Sequence, residues 1–356
     1  MSSKRLGRIR QEMARLGLDG LLVSSLQDIR YLSGFSGSTA LALITQSRAA
    51  LILDFRYLTQ AAREVSHFEI VTTPTKPWDA VANLAQDWKI QRLGFEAEDL
   101  SFFQHEKLKE GLPDVTLVAT SELIKDLRMV KDSEEVTLIQ KSAEILSITL
   151  EEVLSEIKPG LREREVAALL EYRMKIHGAD REGFDTIVAS GERSAMPHGI
   201  ASDKELIKGE LVIIDCGCGY QGYNADITRT IALGKPSARA LEIYPVVLRA
   251  QEQALATARV GVRAATVDKA ARQVIEGEGY GEFFGHNTGH GVGLSVHEKP
   301  TLSRDSEIPL EEGMTFTIEP GIYLPGVGGI RIEDTVTLGL RGLEVLTSAP
   351  RELLIL

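Results

Sequence analysis

The first part of the chain alternates between short apolar runs and stretches in which apolar residues recur at helical spacing. In residues 4–16, Leu6, Ile9, Met13 and Leu16 fall on one face of a predicted helix. The same pattern predicts strands at 18–24, 40–44, 49–54, 92–96 and 115–119, and helices at 78–88 and 102–110. Strands that alternate with helices are typical of an α/β domain.

The pattern changes near residue 130 to longer amphipathic helices and hairpins. Asp132 and Glu135 have the spacing of a capping box ahead of a helix over 133–157. Pro159-Gly160 ends that helix, and a second helix follows over 162–178. We therefore place a domain boundary near 125–132, which divides the chain into domains 1–127 and 128–356.

The second domain is predicted to contain a repeat. Its first half has two helices, a strand near 186–190 and a hairpin over 209–233. Its second half has helices over 238–258 and 266–277, a glycine-rich segment and a hairpin over 311–339. The matching order of elements supports the repeat, and no obvious residue identity does.

Each predicted hairpin carries two acidic residues in otherwise apolar strands. If the first turn is centred between residues 220 and 221, Asp215 and Asp226 face each other with Cβ atoms about 5 Å apart. In the second hairpin Glu319 and Glu333 lie within one position of facing each other. Such close like charges are destabilising unless a cation lies between them. The alternative is a hairpin whose aspartates face solvent, and the apolar run at 211–214 argues against it.

Three histidines, His286, His290 and His297, lie in the glycine-rich segment between the hairpins. The glycines disfavour a long helix and predict a loop that approaches a site closely. Carboxylates with an imidazole are typical ligands of Mn²⁺, Co²⁺ or Fe²⁺, and Zn²⁺ stays open. Two ions about 3.5–4 Å apart would balance four carboxylates better than one.

The amino-acid composition indicates which classes of partner and which cellular compartment to expect. The chain has 51 acidic and 40 basic residues, a formal net charge of −11, which argues against a nucleic-acid partner. Its two cysteines, Cys216 and Cys218, form no disulfide framework and alternate with Asp215, so we predict that they pack on the opposite strand face. No apolar run approaches the ~18 residues of a membrane span. We expect a cytoplasmic protein with no membrane partner.

Several motifs, in this order, resemble the pita-bread metallopeptidases of peptidase family M24. They are Asp215-Cys216-Gly217, residues 220–230, Gly289-His290-Gly291-Val292-Gly293, Thr317-Ile318-Glu319-Pro320-Gly321 and Arg331-Ile332-Glu333-Asp334. Residues 184–191 with Pro197-His198, and residues 31–35 and 54–57, are similar to the branch of aminopeptidase P and prolidase. The resemblance spans almost the whole chain. It implies an α/β N-terminal domain of the creatinase/prolidase type and an α+β pita-bread catalytic domain with a pseudo-twofold repeat.

The resemblance also implies roles for particular residues. Two divalent ions, usually Mn²⁺ or Co²⁺, would be held by Asp215, Asp226, His290, Glu319 and Glu333, and would activate water for attack on the peptide carbonyl. Glu319 would also carry the proton to the leaving proline nitrogen. His198 and His297 would hydrogen-bond the substrate or the tetrahedral intermediate, with His286 as another pocket histidine. Arg331, on the strand face of Glu333, fits a role in orienting carboxylates.

The implied substrates are small peptides with proline in second position, and the implied assembly is a homodimer. Prolidases often carry an arginine shortly after the position of His297, thought to bind the free carboxylate of a dipeptide. Thr301 takes that place here, which leaves longer Xaa-Pro peptides open.

Four alternatives were weighed against this interpretation. Methionine aminopeptidases share the ligand set but normally lack an N-terminal domain of this kind, and a broader dipeptidase activity is a related alternative. Creatinase-like relatives lack the full metal set. A non-catalytic pita-bread binding protein would usually have lost ligands, and this chain has all five.

Overall fold

A computed structural model describes residues 2–73 and 77–356, which fall into two units, Met1–Arg128 and Met129–Leu356. The first unit alternates strands with helices, as the apolar pattern predicts. Its elements are α1 (Ser2–Arg15), β1 (Gly20–Val23), α2 (Leu26–Ser33), β2 (Leu41–Thr45), β3 (Ala49–Leu53), α3 (Leu58–Glu64), β4 (Glu69–Thr72), α4 (Pro77–Asp87), β5 (Arg92–Glu96), α5 (Phe102–Gly111), β6 (Thr116–Thr120) and α6 (Leu123–Met129).

The six strands form one sheet in the order β4-β3-β2-β1-β5-β6, in which every strand except β2 runs in the same direction. In α1, Leu6, Ile9 and Met13 are buried as predicted, whereas Leu16 lies past the end of the helix. The pattern missed β4 and three short helices, α2, α3 and α6. Each of these helices has only seven or eight residues, which is too few for a recognisable helical periodicity of apolar positions.

The second unit consists of two helix pairs and a large sheet. Its elements are α7 (Ser133–Leu154), α8 (Glu163–Ile176), β7 (Arg181–Glu182), β8 (Ile187–Ser190), β9 (Leu211–Tyr220), β10 (Tyr223–Ala232), α9 (Ala238–Thr257), α10 (Ala264–Gly277), β11 (Gly289–Gly291), β12 (Glu298–Leu302), β13 (Thr315–Ile318), β14 (Gly321–Leu324), β15 (Gly328–Arg331), β16 (Glu333–Gly339), β17 (Gly342–Val345) and β18 (Leu354–Ile355). The capping box of Asp132 and Glu135 at the start of α7 is confirmed. Within the described residues, no helix is both long and apolar enough to cross a bilayer.

The repeat is visible in the order of the strands and in matched backbone hydrogen bonds. The central strands follow the order β13-β16-β10-β9, so each hairpin places one strand at the middle of the sheet. At the start of α8, Glu163 N donates to Lys204 O (3.0 Å), and at the start of α10, Ala264 N donates to Ile308 O (2.9 Å). The loops before the two helices match as well, with Gly160 N bonded to Leu206 O and Gly261 N to Leu310 O.

The register of the first hairpin differs from the prediction. Tyr220 pairs with Tyr223, so the turn is the two-residue Gln221-Gly222, and both residues have positive φ (46° and 81°). This geometry is that of a type I′ turn, which matches the twist of the strands. Asp215 therefore faces Thr228, and Asp226 faces Gly217. Because the shift is two residues, both aspartates stay on one face of the sheet, diagonally placed instead of directly opposite.

The second hairpin is interrupted. Its outer parts, β13 and β16, pair within the large sheet, while its inner parts, β14 and β15, form a separate two-stranded sheet. Pro320, at the break, has no N–H to donate to the ladder. Both parts keep the register in which Thr317 pairs with Thr335 and Gly321 with Arg331, and that register places Glu319 opposite Glu333.

Candidate metal centre

The five predicted metal ligands lie on neighbouring strands of the second unit. Asp215 is on β9, Asp226 on β10 and His290 on β11, whereas Glu319 follows β13 and Glu333 begins β16. Across the ladders, Asp215 pairs with Thr228, and Thr228 pairs with Glu333. Paired residues point to the same face of a sheet, so the repeat brings carboxylates from both hairpins to one place.

The distances between side-chain atoms show that four of these residues lie close together. Ligand atoms of Asp226, His290 and Glu333 all lie within 4.8 Å of one another. His290 Nε2 is 3.3 Å from Glu319 Oε1 and 3.8 Å from Asp226 Oδ2. Asp215 lies on the same strand face, with Oδ2 hydrogen-bonded by Arg331.

His290 is held in the tautomer that a metal ligand requires. Its Nδ1 is 3.1 Å from the carbonyl oxygen of Gly291, which can only accept, so Nδ1 carries the proton. The lone pair of Nε2 then faces the carboxylates. A side chain at Gly289 would place its Cβ 1.9 Å from the carbonyl oxygen of Thr317, so only glycine lets β11 approach β13 this closely. The predicted loop is thus a short strand around His290.

The carboxylates contain buried oxygens that no donor in the described part of the chain satisfies. Asp215 Oδ1, Asp226 Oδ1 and Glu333 Oε1 have no hydrogen-bond partner among residues 2–73 and 77–356. Buried carboxylate oxygens are normally paired, because leaving them without a partner costs free energy. Cations between them would supply the missing interactions, so this donor set fits divalent metal ions.

Without cations the site is electrostatically unfavourable. Burial raises the pKa of Asp226 and Glu333 well above the usual range, and the neighbouring carboxylates raise both further. Burial also raises the pKa of Glu319. A carboxyl whose pKa is higher in the folded state gives stability that is present below its unfolded pKa, about 4, and lost as pH rises through the folded value. Metal-free protein should therefore lose stability as pH rises.

Burial has the opposite effect on the histidines. It lowers the pKa of His286, His290 and His297. Such a base destabilises the folded state only below its unfolded pKa of about 6.5. Above about pH 7.5 the three histidines are neutral in both states and no longer contribute to the pH dependence of stability.

Arg331 connects the candidate ligands to the histidines around them. Its buried guanidinium donates to Asp215 Oδ2, to Thr228 Oγ1 (3.1 Å), to Tyr323 O–H (2.8 Å) and to the carbonyl of Pro197 (3.2 Å). Thr228 Oγ1 in turn donates to Glu333 Oε2 (2.6 Å). One side chain therefore contacts a carboxylate of the first hairpin directly and one of the second hairpin through Thr228.

His286 belongs to the same chain of hydrogen bonds. Its Nδ1 lies 2.8 Å from the carbonyl of Asn287, so Nδ1 carries the proton and Nε2 accepts from Tyr323 O–H at 2.8 Å. Burial raises the pKa of Tyr323 to about 12, so its hydroxyl keeps its proton. The chain of hydrogen bonds from Arg331 through Tyr323 fixes the orientation of the His286 ring, which is not one of the five candidate metal ligands.

His297 and His198 lie at the exposed side of the centre. The rings of His297 and His290 are 4.3 Å apart between centroids. His198 follows Pro197, whose carbonyl Arg331 binds, and is near enough to contribute to the lowered pKa of His297. Both residues are exposed.

Comparison with known proteins places the chain in a family. Residues 137–339 match the model of metallopeptidase family M24, and residues 5–130 match the creatinase/prolidase N-terminal domain. The chain belongs to metallopeptidase family M24. Membership confirms the predicted hydrolase class and the predicted two-part fold, and it implies divalent metal ions without specifying which.

Relatives in family M24 match over the full length. A Xaa-Pro dipeptidase of Pyrococcus furiosus is 41% identical over 99% of both chains. The structure of a Xaa-Pro dipeptidase from Bacillus anthracis is 42% identical, with a TM-score of 0.98 and complete coverage of both chains. The structure of an X-Pro aminopeptidase from Thermotoga maritima is 41% identical, with a TM-score of 0.90 and coverage of 97% of this chain and 100% of that one.

Sequence reasoning missed two residues of this M24 site, Thr228 and Tyr323. Thr228 lies between Glu333 and Arg331, and Tyr323 lies between Arg331 and His286. A signal for Thr228 was present, because Thr228, Thr230, Thr335 and Thr337 interrupt apolar strands at alternate positions. Nothing in the sequence distinguished Tyr323 from an ordinary buried aromatic residue.

Proposed function

We propose that this chain hydrolyses the bond between an N-terminal residue and a following proline in short peptides. The observation that carries the proposal is the group of buried, unpartnered carboxylate oxygens around His290 Nε2 in an M24 metallopeptidase. Relatives of full length are named Xaa-Pro dipeptidase and X-Pro aminopeptidase, which supports proline specificity.

Asp215, Asp226, His290, Glu319 and Glu333 would hold two divalent cations. The donor set is rich in carboxylate oxygen, which favours Mn²⁺ or Co²⁺ over Zn²⁺ or Fe²⁺. When bound, the cations polarise the scissile carbonyl and make a nucleophilic water available near neutral pH. The raised pKa values of the carboxyls mean that protons must leave before cations enter, so metal binding should strengthen as pH rises.

The side chains around the carboxylates would bind the substrate and move protons. Glu319 lies beside His290 at 3.3 Å and is partly exposed, so it can carry a proton to the leaving nitrogen. His198 and His297 can donate to the peptide and to the oxyanion that develops. Arg331 binds the carbonyl of Pro197 next to His198, and Tyr323 binds His286, so these two residues would orient the neighbouring histidines.

A dedicated enzyme for proline follows from its chemistry. The Xaa-Pro bond is a tertiary amide without an N–H, so a site that binds that N–H would recognise it poorly. Polarisation by cations and donation by histidines need no such donor on the substrate. The candidate centre therefore suits a bond that many peptidases avoid.

We propose that peptides longer than two residues are also accepted. Thr301 lies on β12, directly opposite His290, at the place where an arginine would bind a dipeptide carboxylate. A threonine hydroxyl is neutral and short, so it supplies no charged anchor for that carboxylate.

The proposal is tested by comparing Ala-Pro, Ala-Pro-Ala and Met-Ala as substrates of protein loaded with Mn²⁺ or Co²⁺. Hydrolysis of both proline peptides and little of Met-Ala is expected. Preference for Met-Ala would overturn the proposal and favour a methionine-aminopeptidase activity. No hydrolysis by protein with two bound ions would favour a non-catalytic role.

A cytoplasmic location and a homodimer complete the proposal. The two cysteines are free and buried, as expected for packing residues in a reducing compartment. The homodimer rests on the family resemblance, and sedimentation velocity tests it.

A further inference from the structure

A fully buried glutamate outside the candidate metal centre holds the segment that carries His198. Glu163, the first residue of α8, is 0% exposed. Its Oε1 accepts from Ser190 N (2.8 Å) and Ser190 Oγ (2.9 Å). Its Oε2 accepts from Arg193 Nε (3.0 Å), Ser202 N (3.1 Å) and Ser202 Oγ (2.6 Å). All five donors belong to residues 190–202, with His198 between them.

These bonds keep a buried side chain charged. Burial alone would raise the pKa of Glu163, but the hydrogen bonds from Ser202 and Ser190 outweigh it and lower the pKa. An ionised carboxylate with all its donors in place is a rigid anchor, because moving any donor away leaves a buried charge less satisfied.

The other side of the same segment is attached to the metal-site network. The carbonyl of Pro197, next to His198, accepts from Arg331 at 3.2 Å. Ser194 Oγ accepts from Gly329 N on β15 at 2.8 Å. The segment is thus fixed from two directions, by Glu163 on α8 and by the strand that carries Arg331.

The second half of the repeat contains a similar arrangement, with its carboxylate one helical turn further along α10 than the position that matches Glu163. Asp268 on α10 is buried and accepts from Thr288 N (3.1 Å) and Thr288 Oγ1 (2.8 Å), as Glu163 accepts from Ser190. It also pairs with Arg272 (2.6 Å), which donates to the carbonyls of Phe284 and His286. A buried carboxylate therefore anchors the segment of His286 in the same manner.

We propose that Glu163 and Asp268 are positioning residues that hold His198 and His286, respectively, in the geometry required by the substrate. The proposal rests on the proposed function, because it takes these histidines to lie beside the bound peptide. It assigns neither carboxylate a contact with metal or substrate. Since misplacement of a catalytic group by about 1 Å can cost a hundredfold in rate, loosening either anchor should lower activity without releasing the ions.

The decisive experiment is a double-mutant cycle between Glu163→Gln and His198→Ala in metal-loaded protein. A glutamine has one accepting oxygen, so it cannot satisfy both groups of donors. We expect Glu163→Gln to lower kcat/KM about tenfold or more with unchanged metal content. In the His198→Ala background it should cause no further loss. A further tenfold loss there would show that Glu163 acts independently of His198 and would overturn the proposal.

Two variants serve as controls. Glu165→Gln makes the same change two residues along α8, where the exposed Glu165 side chain accepts from Arg162 N, and it should leave kcat/KM unchanged. Ser202→Ala removes the 2.6 Å bond to Glu163 together with the 3.2 Å bond that Lys204 N donates to Ser202 Oγ, and it gives a milder version of the effect if Glu163→Gln does not fold. An active Ser202→Ala variant with wild-type kcat/KM would contradict the proposal.

Amide hydrogen exchange tests the anchor without any substrate. Glu163→Gln should speed exchange in residues 190–202 and leave β9 and β10 unchanged, and equal exchange in both proteins would refute the anchor.

The double-mutant cycle uses whichever of Ala-Pro, Ala-Pro-Ala and Met-Ala the wild type cleaves fastest. A wild type that cleaves only Met-Ala would refute the proposed function, while the cycle and the exchange would still decide this proposal.

Discussion

Thr228→Val removes one buried hydroxyl and preserves the shape of the side chain. That hydroxyl donates to Glu333 Oε2 (2.6 Å) and accepts from Arg331 Nε (3.1 Å), and Thr228 is 0% exposed. The variant therefore breaks the link between a candidate metal ligand and the arginine that orients the site. It leaves every candidate ligand in place.

The expected effect on metal affinity follows from the charge of Glu333. In metal-free protein the raised pKa favours a protonated Glu333, and a neutral hydrogen bond contributes about 0.5–1.5 kcal/mol. With cations bound the carboxylate is ionised, and a hydrogen bond to it contributes about 1.5–3 kcal/mol. The variant loses the difference between the midpoints of these ranges, about 1.2 kcal/mol, which is roughly an eightfold weaker binding of metal.

The effect on folding is separate. Arg331 Nε loses its partner whether metal is present or not, and an unsatisfied buried donor costs about 1–3 kcal/mol. A loss of about 2 kcal/mol lowers Tm by roughly 4–8 °C in a unit of this size.

Metal binding is measured by titration of metal-free protein with Mn²⁺ in calibrated chelator buffers, and stability by thermal unfolding. Thr315→Val is the matched control, because Thr315 is equally buried in the same sheet but donates to Thr337 (3.0 Å), away from the carboxylates. It should lower Tm and leave metal affinity unchanged. Wild-type affinity in Thr228→Val, or an equal loss in Thr315→Val, would refute the reasoning.

The remaining predictions concern the site as a whole. Asp226→Ala should abolish peptide hydrolysis with the fold intact by circular dichroism, and retained turnover would contradict its role as a ligand. His297→Ala should lower kcat about a hundredfold with unchanged metal content, since it removes a donor to the developing oxyanion, and loss of metal would reassign it as a ligand. The Tm of metal-free protein should fall as pH rises above the unfolded carboxyl pKa of about 4, because the pKa of Asp226 and Glu333 is raised in the folded state, and the lowered histidine pKa values oppose this fall below about pH 7.5. Asp226→Asn with Glu333→Gln should reduce that slope and leave the part due to Glu319, to Glu96, whose pKa burial raises to about 9, and to the buried thiols of Cys216 and Cys218, and an unchanged slope would refute the assignment.

Local sequence patterns were sufficient to predict most secondary-structure elements of the second unit, Met129–Leu356. The capping box of Asp132 and Glu135, the long helices and both hairpins follow from side chains near each other in the chain. The register of the first hairpin was not predicted correctly from such patterns, because it depends on a turn of only two residues, Gln221-Gly222. A two-residue error preserves the face of each aspartate, so the predicted grouping of carboxylates was insensitive to it.

The sequence by itself determined which chemistry the protein carries. The order and types of the acidic residues and histidines indicated a carboxylate-rich metal site, and the alternation of apolar residues indicated the strands that present it. These properties are local, because periodicity records which face of an element is buried.

Only the tertiary structure decided how those residues are held. Arg331 reaches Asp215, Thr228, Tyr323 and Pro197, and Glu163 reaches the segment of His198, across separations of up to 134 positions in the chain. Buried hydrogen-bond donors are paired with acceptors that the fold brings near them from distant parts of the chain, and a local sequence pattern does not predict which acceptor that is. The ligand types are thus set by the sequence, whereas their orientation is set by contacts between distant segments.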